Sequence, residues 1–551
     1  MDIKSSIISL LKRYTKLKEI TLEIPPSSDL GDYAFPCFEL AKILKKNPAQ
    51  IASDLASKIK TNSLIKDIRA TGPYLNFFIN QDILVKQTIK QIIKQKEKYG
   101  SSNLGKGKKM IIEHTSINPN ASPHVGRARN AILGDSITNI LKFQNYNVSV
   151  HYFVNDVGKQ IALLVLGFKP NTKFEQLLDL YIKINKNLTK EQEKQVFNLL
   201  NKFEKNDKQT QRKFKQVVNI CLKGQLKLFN ELGIKYNSFN FESTYLKQKK
   251  VEQVLEDLEK TGYVFKDEFN RKVLNQDNFG LASAMKNPVL VLTRADGTSL
   301  YPLRDLAYNI DKIQKAPINI VILGEDQKLY HQQISAALRL LKKTPPLAIH
   351  YSFVLLEEGK MSTRQGNLVL LSDFMEESVK KAQEELKARY KNIKNLEKLS
   401  KAIAYGAIKY AILKVSQEKN VNFEWSKALS FEGDSGPYLQ YTYARAASIL
   451  KKAKKSSKIN YSLLTKEEKE LVKKLSEFND VVLKASINYR PHLIAVYLYE
   501  LSKLFNEFYH KYNVLKSEQK LRNARIDLVR ATKQVLNNGL KLLGIEPLER
   551  M

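Results

Sequence analysis

Apolar positions recur at helical spacing in the opening residues, "MDIKSSIISLLKRY", and again through "CFELAKILKKNPAQIASDLASKI", where Asn47–Pro48 is a stop-and-cap signal between two short helices. "GPYLNFFIN" (72–80) is an aromatic strand signal after a Gly-Pro turn, so the first part of the chain reads as a small α+β module. The glycine-rich stretch "YGSSNLGKGKK" (99–109) marks a domain boundary. Beyond it, "KMIIEHTS" reads as a buried strand, "NPNASPHVGRARNAILGD" (118–135) as a loop and then a helix, and "YNVSVHYFVND" as the next strand. That is a βαβ unit, which demands a parallel sheet. From residue 165 to about 260 the pattern is helical and rich in Lys, Gln and Asn, whereas "NPVLVLTRADGTSLYPLRDLAY" and "INIVILGEDQ" resume buried-strand character. After "YSFVLLEEGKMSTRQGNLVLLSDF" the chain reads as almost wholly helical to Met551, ending in a bundle. The pattern predicts a multidomain α/β protein: a small α+β domain over 1–104, a parallel-sheet domain over 105–375 with a helical insertion at about 165–285, a helical connecting region over 376–429, and an α-helical domain over 430–551.

Composition adds a partner. Lys and Arg number 91 against 56 Asp and Glu, a net charge of +35 spread along the whole chain. Such an excess suits a polyanion, although a general bias toward Lys, Asn and Ile produces part of it. With only Cys37 and Cys221, neither a disulfide framework nor a Cys-based zinc site can be built, which fits a reducing cytoplasmic setting. The N-terminus lacks a signal-type apolar run, and no stretch has the roughly 18 apolar residues of a membrane span. The Gly-rich phosphate loop G-x-x-x-x-G-K-[ST], the G-x-G-x-x-G fingerprint and the H-E-x-x-H zinc motif are absent.

Candidate chemistry concentrates in two loops. Ser122 is placed to cap a helix with Pro123 in its first position, so His124 falls in the first turn, where unpaired N–H groups favour phosphate. Arg127 shares that face, Gly126 leaves room for a flat ligand, and Val125, Ala128, Ile132, Ile137 and Ile140 point to a core. Spacing alone fits a capped core helix equally well. The second loop, "EEGKMSTRQGN" (357–367), lies between an apolar strand and a helix with Asp373 at its cap and Glu376 completing a capping box. It suits closure over triphosphate charge, or is simply solvated surface.

"PHVGRARNAILGD" resembles the His-x-Gly-His signature, and "KMSTR" the Lys-Met-Ser-Lys-Ser signature, of class I aminoacyl-tRNA synthetases; the surrounding residues are similar to the arginyl-tRNA synthetase branch. "LGDYAFPCFELAKILKKNP" and "GPYLNFFIN" resemble that family's additional N-terminal domain, and "GDSGPYLQYTYARAASI" and "LNNGLKLLGIEPLERM" its anticodon-binding domain. The resemblance implies a Rossmann-like catalytic domain and formation of arginyl-adenylate from ATP and L-arginine, with transfer to tRNA(Arg). It further implies that activation depends on bound tRNA, that Mg²⁺ arrives with ATP, and that no structural metal is required. Ser122, His124, Gly126, Arg127, Lys360, Met361 and Ser362 would hold ATP, with His124, Arg127 and Lys360 acting in catalysis. Arg127 stands where the signature has its second His, and Thr363 where it has its second Lys. Glu113, Tyr301 and Asp305 would meet the guanidinium; Asn118 and Gln327 would meet the α-amino end. Tyr74, Asn76, Tyr438, Tyr441, Arg445 and Met551 would touch tRNA, the aromatic rings and guanidinium on one helix face being a platform for unstacked bases. Taken singly, each has a plain alternative, such as a surface acid at Glu113, a helix ion-pair partner at Asp305 or a core stripe at the tyrosines. A monomer is expected. The rival readings are a class I enzyme of other specificity, for lysine or cysteine, and a catalytically silent tRNA-binding paralogue.

Overall fold

The computed structural model describes residues 3–186, 188–281, 284–356, 369–391, 393–454 and 459–551, which form two compact units. The larger comprises Gly100–Ala444, Asn479–Glu500 and Leu536–Met551. Its centre is a parallel sheet of β1 (Lys109–Glu113), β2 (Asn147–Val154), β3 (Ser238–Phe241), β4 (Ile318–Gly324) and β5 (Leu347–Tyr351), in the order β5-β4-β1-β2-β3. Strand order reverses between β1 and β4, which opens a crevice at their carboxyl ends. Both strands are nearly continuous apolar runs because helices cover both faces of the sheet.

Helix α1 (Val125–Phe143) joins β1 to β2 and packs on both of them and on β4. It is buried almost all round, more than its amphipathic pattern suggests. Helix α5 (Leu396–Leu413), which follows α2 (Tyr301–Lys315), α3 (Lys328–Leu340) and α4 (Leu371–Arg389), covers α1 from outside. So does the C-terminal segment, where Ser136 Oγ donates to Leu542 O at 2.9 Å.

The insertion departs from the helical expectation. It is helical over Phe174–Lys186, Lys190–Glu204 and Lys208–Glu231, but Ser238–Phe241 then returns to the main sheet as its edge strand. Val264–Lys266, Lys272–Asn275 and Val289–Val291 form a separate antiparallel sheet, so "VLV" at 289–291 belongs there and not to the parallel sheet. Four-residue "SFNF" is too short to carry a periodic signal of its own.

The smaller unit contains the described residues up to Tyr99 with Arg445–Phe478 and Leu501–Val535. Tyr74–Ile79 is the central strand of a three-stranded antiparallel sheet flanked by Tyr33–Pro36 and Ile65–Thr71. Ile7, Leu11, Phe35, Leu75 and Phe77 are among its core residues. Asn47 caps Pro48–Lys58, accepting from Ala49 N at 2.8 Å. Helix Lys466–Ser476 docks on Gln81–Gln95 through Lys469–Asp82 at 2.8 Å, and Tyr99 Oη donates to Leu475 O at 3.1 Å. The helices expected as one terminal bundle are thus divided between the two units.

Candidate active site

Helix α1 opens beside the crevice, two residues later than the Ser122–Pro123 signal implies: Val125 is its first residue and His124, extended at φ −76° and ψ 158°, occupies the cap position. Backbone pairing delays it. His124 forms an antiparallel bridge with Leu370, Val125 N donates to Val369 O at 2.9 Å, and Leu371 N donates to Pro123 O at 2.7 Å. Ser122 therefore caps no helix; its Oγ lies 3.4 Å from Ser372 Oγ. The same bridge starts α4 at Leu371 with Leu370 as its cap, leaving Asp373 in the first turn instead of at the cap. Two stretches far apart in sequence are joined at the mouth of the sheet. Lys360, Met361, Ser362 and Thr363 lie outside the described residues.

Gly126 serves His124. A Cβ there would come within 3.0 Å of the His124 Cε1 and Nδ1, so the imidazole folds over the glycine, on the face expected to receive a flat ligand. Burial, and then the charge of Arg127, hold the His124 pKa below its ordinary value, against the opposing pull of Asp326. The ring is therefore neutral near pH 7, leaving Arg127 as the fixed positive charge on this turn.

The acids of the crevice differ in their partners. Glu113, at the end of β1, accepts from the buried Lys312 Nζ at 2.5 Å and from Ser116 Oγ at 3.2 Å. Glu242 and Glu204 hold the buried Arg304 at 2.9 and 3.3 Å, and burial pushes the Glu242 carboxyl up to about 7. Asp305 has no ion-pair partner among the described residues; its Oδ2 accepts from the Tyr330 phenol, and burial raises its pKa to about 6. The Tyr301 ring lies 5.2 Å from the Tyr330 ring, so Tyr301 and Asp305 meet through a tyrosine that sequence spacing did not single out. Glu113 is close enough to raise the Asp305 pKa but is itself neutralised by Lys312.

Asn118 and Gln327 face different neighbours. Asn118 Nδ2 donates to Gln160 Oε1 at 3.0 Å and its Oδ1 accepts from Asn155 Nδ2 at 2.9 Å, whereas Gln327 Nε2 donates to Asp326 Oδ2 at 3.2 Å. The loop holding Asn118 leaves β1 through Thr115 and Ser116, both left-handed, at φ 71° and 39°. This conformation is costly for residues with a Cβ and is fixed here by hydrogen bonds. Thr115 N donates to Asn130 Oδ1 at 2.6 Å, and Asn130 Nδ2 donates to Ile322 O of β4 at 2.8 Å. Beside it, buried His114 is pushed down to about 3 and stays neutral, its Nδ1 2.8 Å from Thr115 Oγ1.

The expected nucleic-acid contacts are scattered. In the smaller unit, Tyr74 packs edge-on against Phe38 at 5.7 Å, but Asn76 is 3 % exposed and donates to Thr71 Oγ1 at 3.2 Å. A buried side chain of the central strand, bonded to the flanking strand, cannot reach a ligand without a rearrangement. On α6 (Gly436–Lys452), Tyr438, Tyr441 and Arg445 are half-buried among fully buried neighbours, so they do share a face. Tyr438 lies 6.0 Å from the Tyr499 ring, Tyr441 6.4 Å from Phe431, and the Arg445 guanidinium 4.5 Å over Tyr509. Met551 is half-buried at the chain end.

Several residues of the site escaped sequence reasoning. Lys312 is seven residues after Asp305 on α2, a helical spacing that could have flagged it. Tyr330, Arg304 and Arg129 have no such signal. Arg129, 1 % exposed, donates to the carbonyls of Ser352 and Phe353 at 2.7 and 3.1 Å, and of Ser416 and Gln417 at 3.0 and 3.4 Å.

A parallel sheet reversing at β1 and β4, with a His-x-Gly turn at the crevice and segment 369–371 paired beside it, fits the class I aminoacyl-tRNA synthetase fold that the family model identifies. Residues 88–425 match the family model "tRNA synthetases class I (R), catalytic domain", residues 1–79 the arginyl-tRNA synthetase N-terminal domain, and residues 439–551 the DALR anticodon-binding domain. The chain is 41 % identical to the arginine–tRNA ligase of Methanocaldococcus jannaschii over the full length of both, and 37 % identical to that of Methanococcus aeolicus over 98 % of each. Among solved structures, the arginyl-tRNA synthetase of Thermus thermophilus superposes with a TM-score of 0.85 at 26 % identity, covering 100 % of this chain and 99 % of the other. The chain belongs to the arginyl-tRNA synthetase family.

Proposed function

We propose that the chain joins L-arginine to tRNA(Arg) in two steps at the crevice. ATP lies with its phosphates toward the start of α1, held by Ser122, His124, the Gly126 backbone and Arg127, and by Lys360, Met361 and Ser362 of the second signature loop. Mg²⁺ enters with ATP, bound through phosphate oxygens and water. The arginine carboxylate, ionised at neutral pH, attacks the α-phosphorus and pyrophosphate leaves. This step needs alignment and positive charge, not a general base. The terminal adenosine of tRNA then attacks the adenylate carbonyl through its 2′-hydroxyl, releasing AMP.

Asp305, Tyr301 and Glu113 meet the guanidinium, and Asn118 and Gln327 the α-amino end. Asp305 is the acid best placed to pair with it, because Glu113, Glu204 and Glu242 already hold cations. Tyr74 touches the outer part of tRNA, and Asn76 does so once a rearrangement frees its buried amide from Thr71; Tyr438, Tyr441, Arg445 and Met551 touch the anticodon loop. The chain is organised as an N-terminal tRNA-binding domain over 1–104, a catalytic domain over 105–375, a connecting region over 376–429 and an anticodon-binding domain over 430–551. It works as a cytoplasmic monomer. Two buried free cysteines are compatible with that compartment, and no helix among the described residues is long and apolar enough to cross a membrane.

The observation that supports this reading is the His124–Leu370 bridge, which pairs the first signature with the chain that follows the second. Exchange of labelled pyrophosphate into ATP tests it, with and without tRNA and with lysine and cysteine as controls. Exchange with arginine alone, and only in the presence of tRNA, is expected. Folded protein that binds tRNA but exchanges with no amino acid would instead be a silent paralogue.

A further inference from the structure

Gln225 lies on the insertion helix Lys208–Glu231 and is wholly buried. A buried primary amide is tolerated where its two N–H donors and its carbonyl all find partners. Gln225 Nε2 donates to Asn118 O at 3.1 Å and to Ala121 O at 2.9 Å, and Oε1 lies 3.0 Å from the Tyr152 hydroxyl. Tyr152, on β2 and equally buried, is 3.2 Å from Ile117 N. Its single proton is shared between Gln225 Oε1 and Ile117 O, the latter at 3.1 Å, and its oxygen accepts from Ile117 N. Together the two side chains grip the backbone at 117, 118 and 121, the stretch that carries Asn118 and runs into His124.

Core packing does not require this. A methionine would fill nearly the same volume, but it would leave two loop carbonyls without donors. The grip also joins segments far apart in sequence, since helix Lys208–Glu231 follows the loop by about a hundred residues; its core face is apolar, including Phe214, Val218 and Leu222, and its other polar ties among the described residues are near its ends, Gln211 to Phe203 O and Tyr405 to Glu231.

We propose that Gln225 is a positioning residue for amino-acid activation: through Asn118 O and Ala121 O it fixes the loop that presents Asn118 to the amino acid and His124 to ATP. The role rests on the proposed function. It also makes the insertion helix part of the wall of the site, so that any shift of this helix moves the loop.

Gln225→Met and Tyr152→Phe in the full-length protein test it by three readouts: thermal unfolding, the arginine and ATP dependence of pyrophosphate exchange with tRNA present throughout, and amide hydrogen exchange of peptides covering residues 115–124. Gln225→Met should fold and raise the arginine KM by roughly 10- to 100-fold, with a smaller change in kcat, and the amides of 117–124 should lose protection. Tyr152→Phe keeps both Gln225 donors, so its effect should be smaller, in the same direction, and less than additive with Gln225→Met. An unchanged KM, or exchange that falls only with the folded fraction, would reduce Gln225 to a packing residue. If Gln225→Met does not fold, Tyr152→Phe decides by the same KM and protection criteria. If the unaltered protein shows no exchange with arginine, the proposed function fails, and unchanged loop protection in the variants would separately overturn the positioning role.

Discussion

Asp305 shows how far a single side chain can be argued. Burial raises its pKa to about 6 from an ordinary carboxylate value, with the Tyr330 hydrogen bond pulling the other way. Below about 6 the unliganded protein holds this acid neutral, so stability present at this site below its unfolded pKa is lost as pH climbs through about 6. A guanidinium needs the ionised form. Below about 6, arginine binding must therefore expel a proton, and affinity should fall roughly tenfold per pH unit there while staying level above it. Titration calorimetry from pH 5 to 8, in buffers of different ionisation heat, reads both the affinity and the released proton. Asp305→Asn should bind arginine weakly at every pH, and an unaltered slope in that variant would rule Asp305 out. Tyr330→Phe removes the hydrogen bond that lowers the pKa, so it should move the midpoint upward. Lys360→Ala makes the contrasting case. If its charge acts as proposed, mainly on the departing pyrophosphate, pre-steady-state adenylate formation should slow by far more than arginine affinity changes.

At the scale of elements, the parts legible in the sequence are those set by local pattern. β1, β2 and β4 were readable because strands covered on both faces are continuous apolar runs, and Asn47 because an Asn-Pro cap is a local signal. The starts of α1 and α4 were not, because segments 123–125 and 369–371 set each other's ends by pairing across a long stretch of chain. Nor was Arg129 legible, since a charge in the second turn of a helix gives no hint that it will be buried among four carbonyls. Those carbonyls belong to two segments, one leading into strand Val354–Leu356 and the other lying just ahead of its partner Val421–Phe423. Arg129→Met should cost about 3–5 kcal/mol in urea unfolding, because several buried acceptors lose their donors together. Arg129→Lys should not restore it, as one ammonium cannot reach both segments in the planar fork geometry. Near-native stability of Arg129→Met would show that solvent or a shifted backbone replaces the guanidinium.

At the scale of the whole molecule, the net charge of +35 is the feature with two explanations, and salt separates them. A polyanion neutralised by Lys and Arg releases counterions on binding, so log affinity falls linearly with log salt, commonly by several decades between about 50 and 200 mM when many phosphates are contacted. Affinity for tRNA measured by filter binding should fall in that way, while arginine affinity, if the proposed pairing with buried Asp305 holds, should change little. Compositional bias without a nucleic-acid role would give weak tRNA binding at every salt concentration. The face of α6 refines the test, because its members act by different physics. Tyr441→Ala removes a stacking surface, so it should weaken tRNA by about 1–3 kcal/mol at all salt concentrations and leave the slope alone. Arg445→Ala removes a charge and should reduce the slope by roughly one contact, provided its guanidinium turns from the Tyr509 ring to a phosphate. A slope unchanged in Arg445→Ala together with weaker binding would mean that the guanidinium instead stacks on a base, the geometry it already adopts against Tyr509.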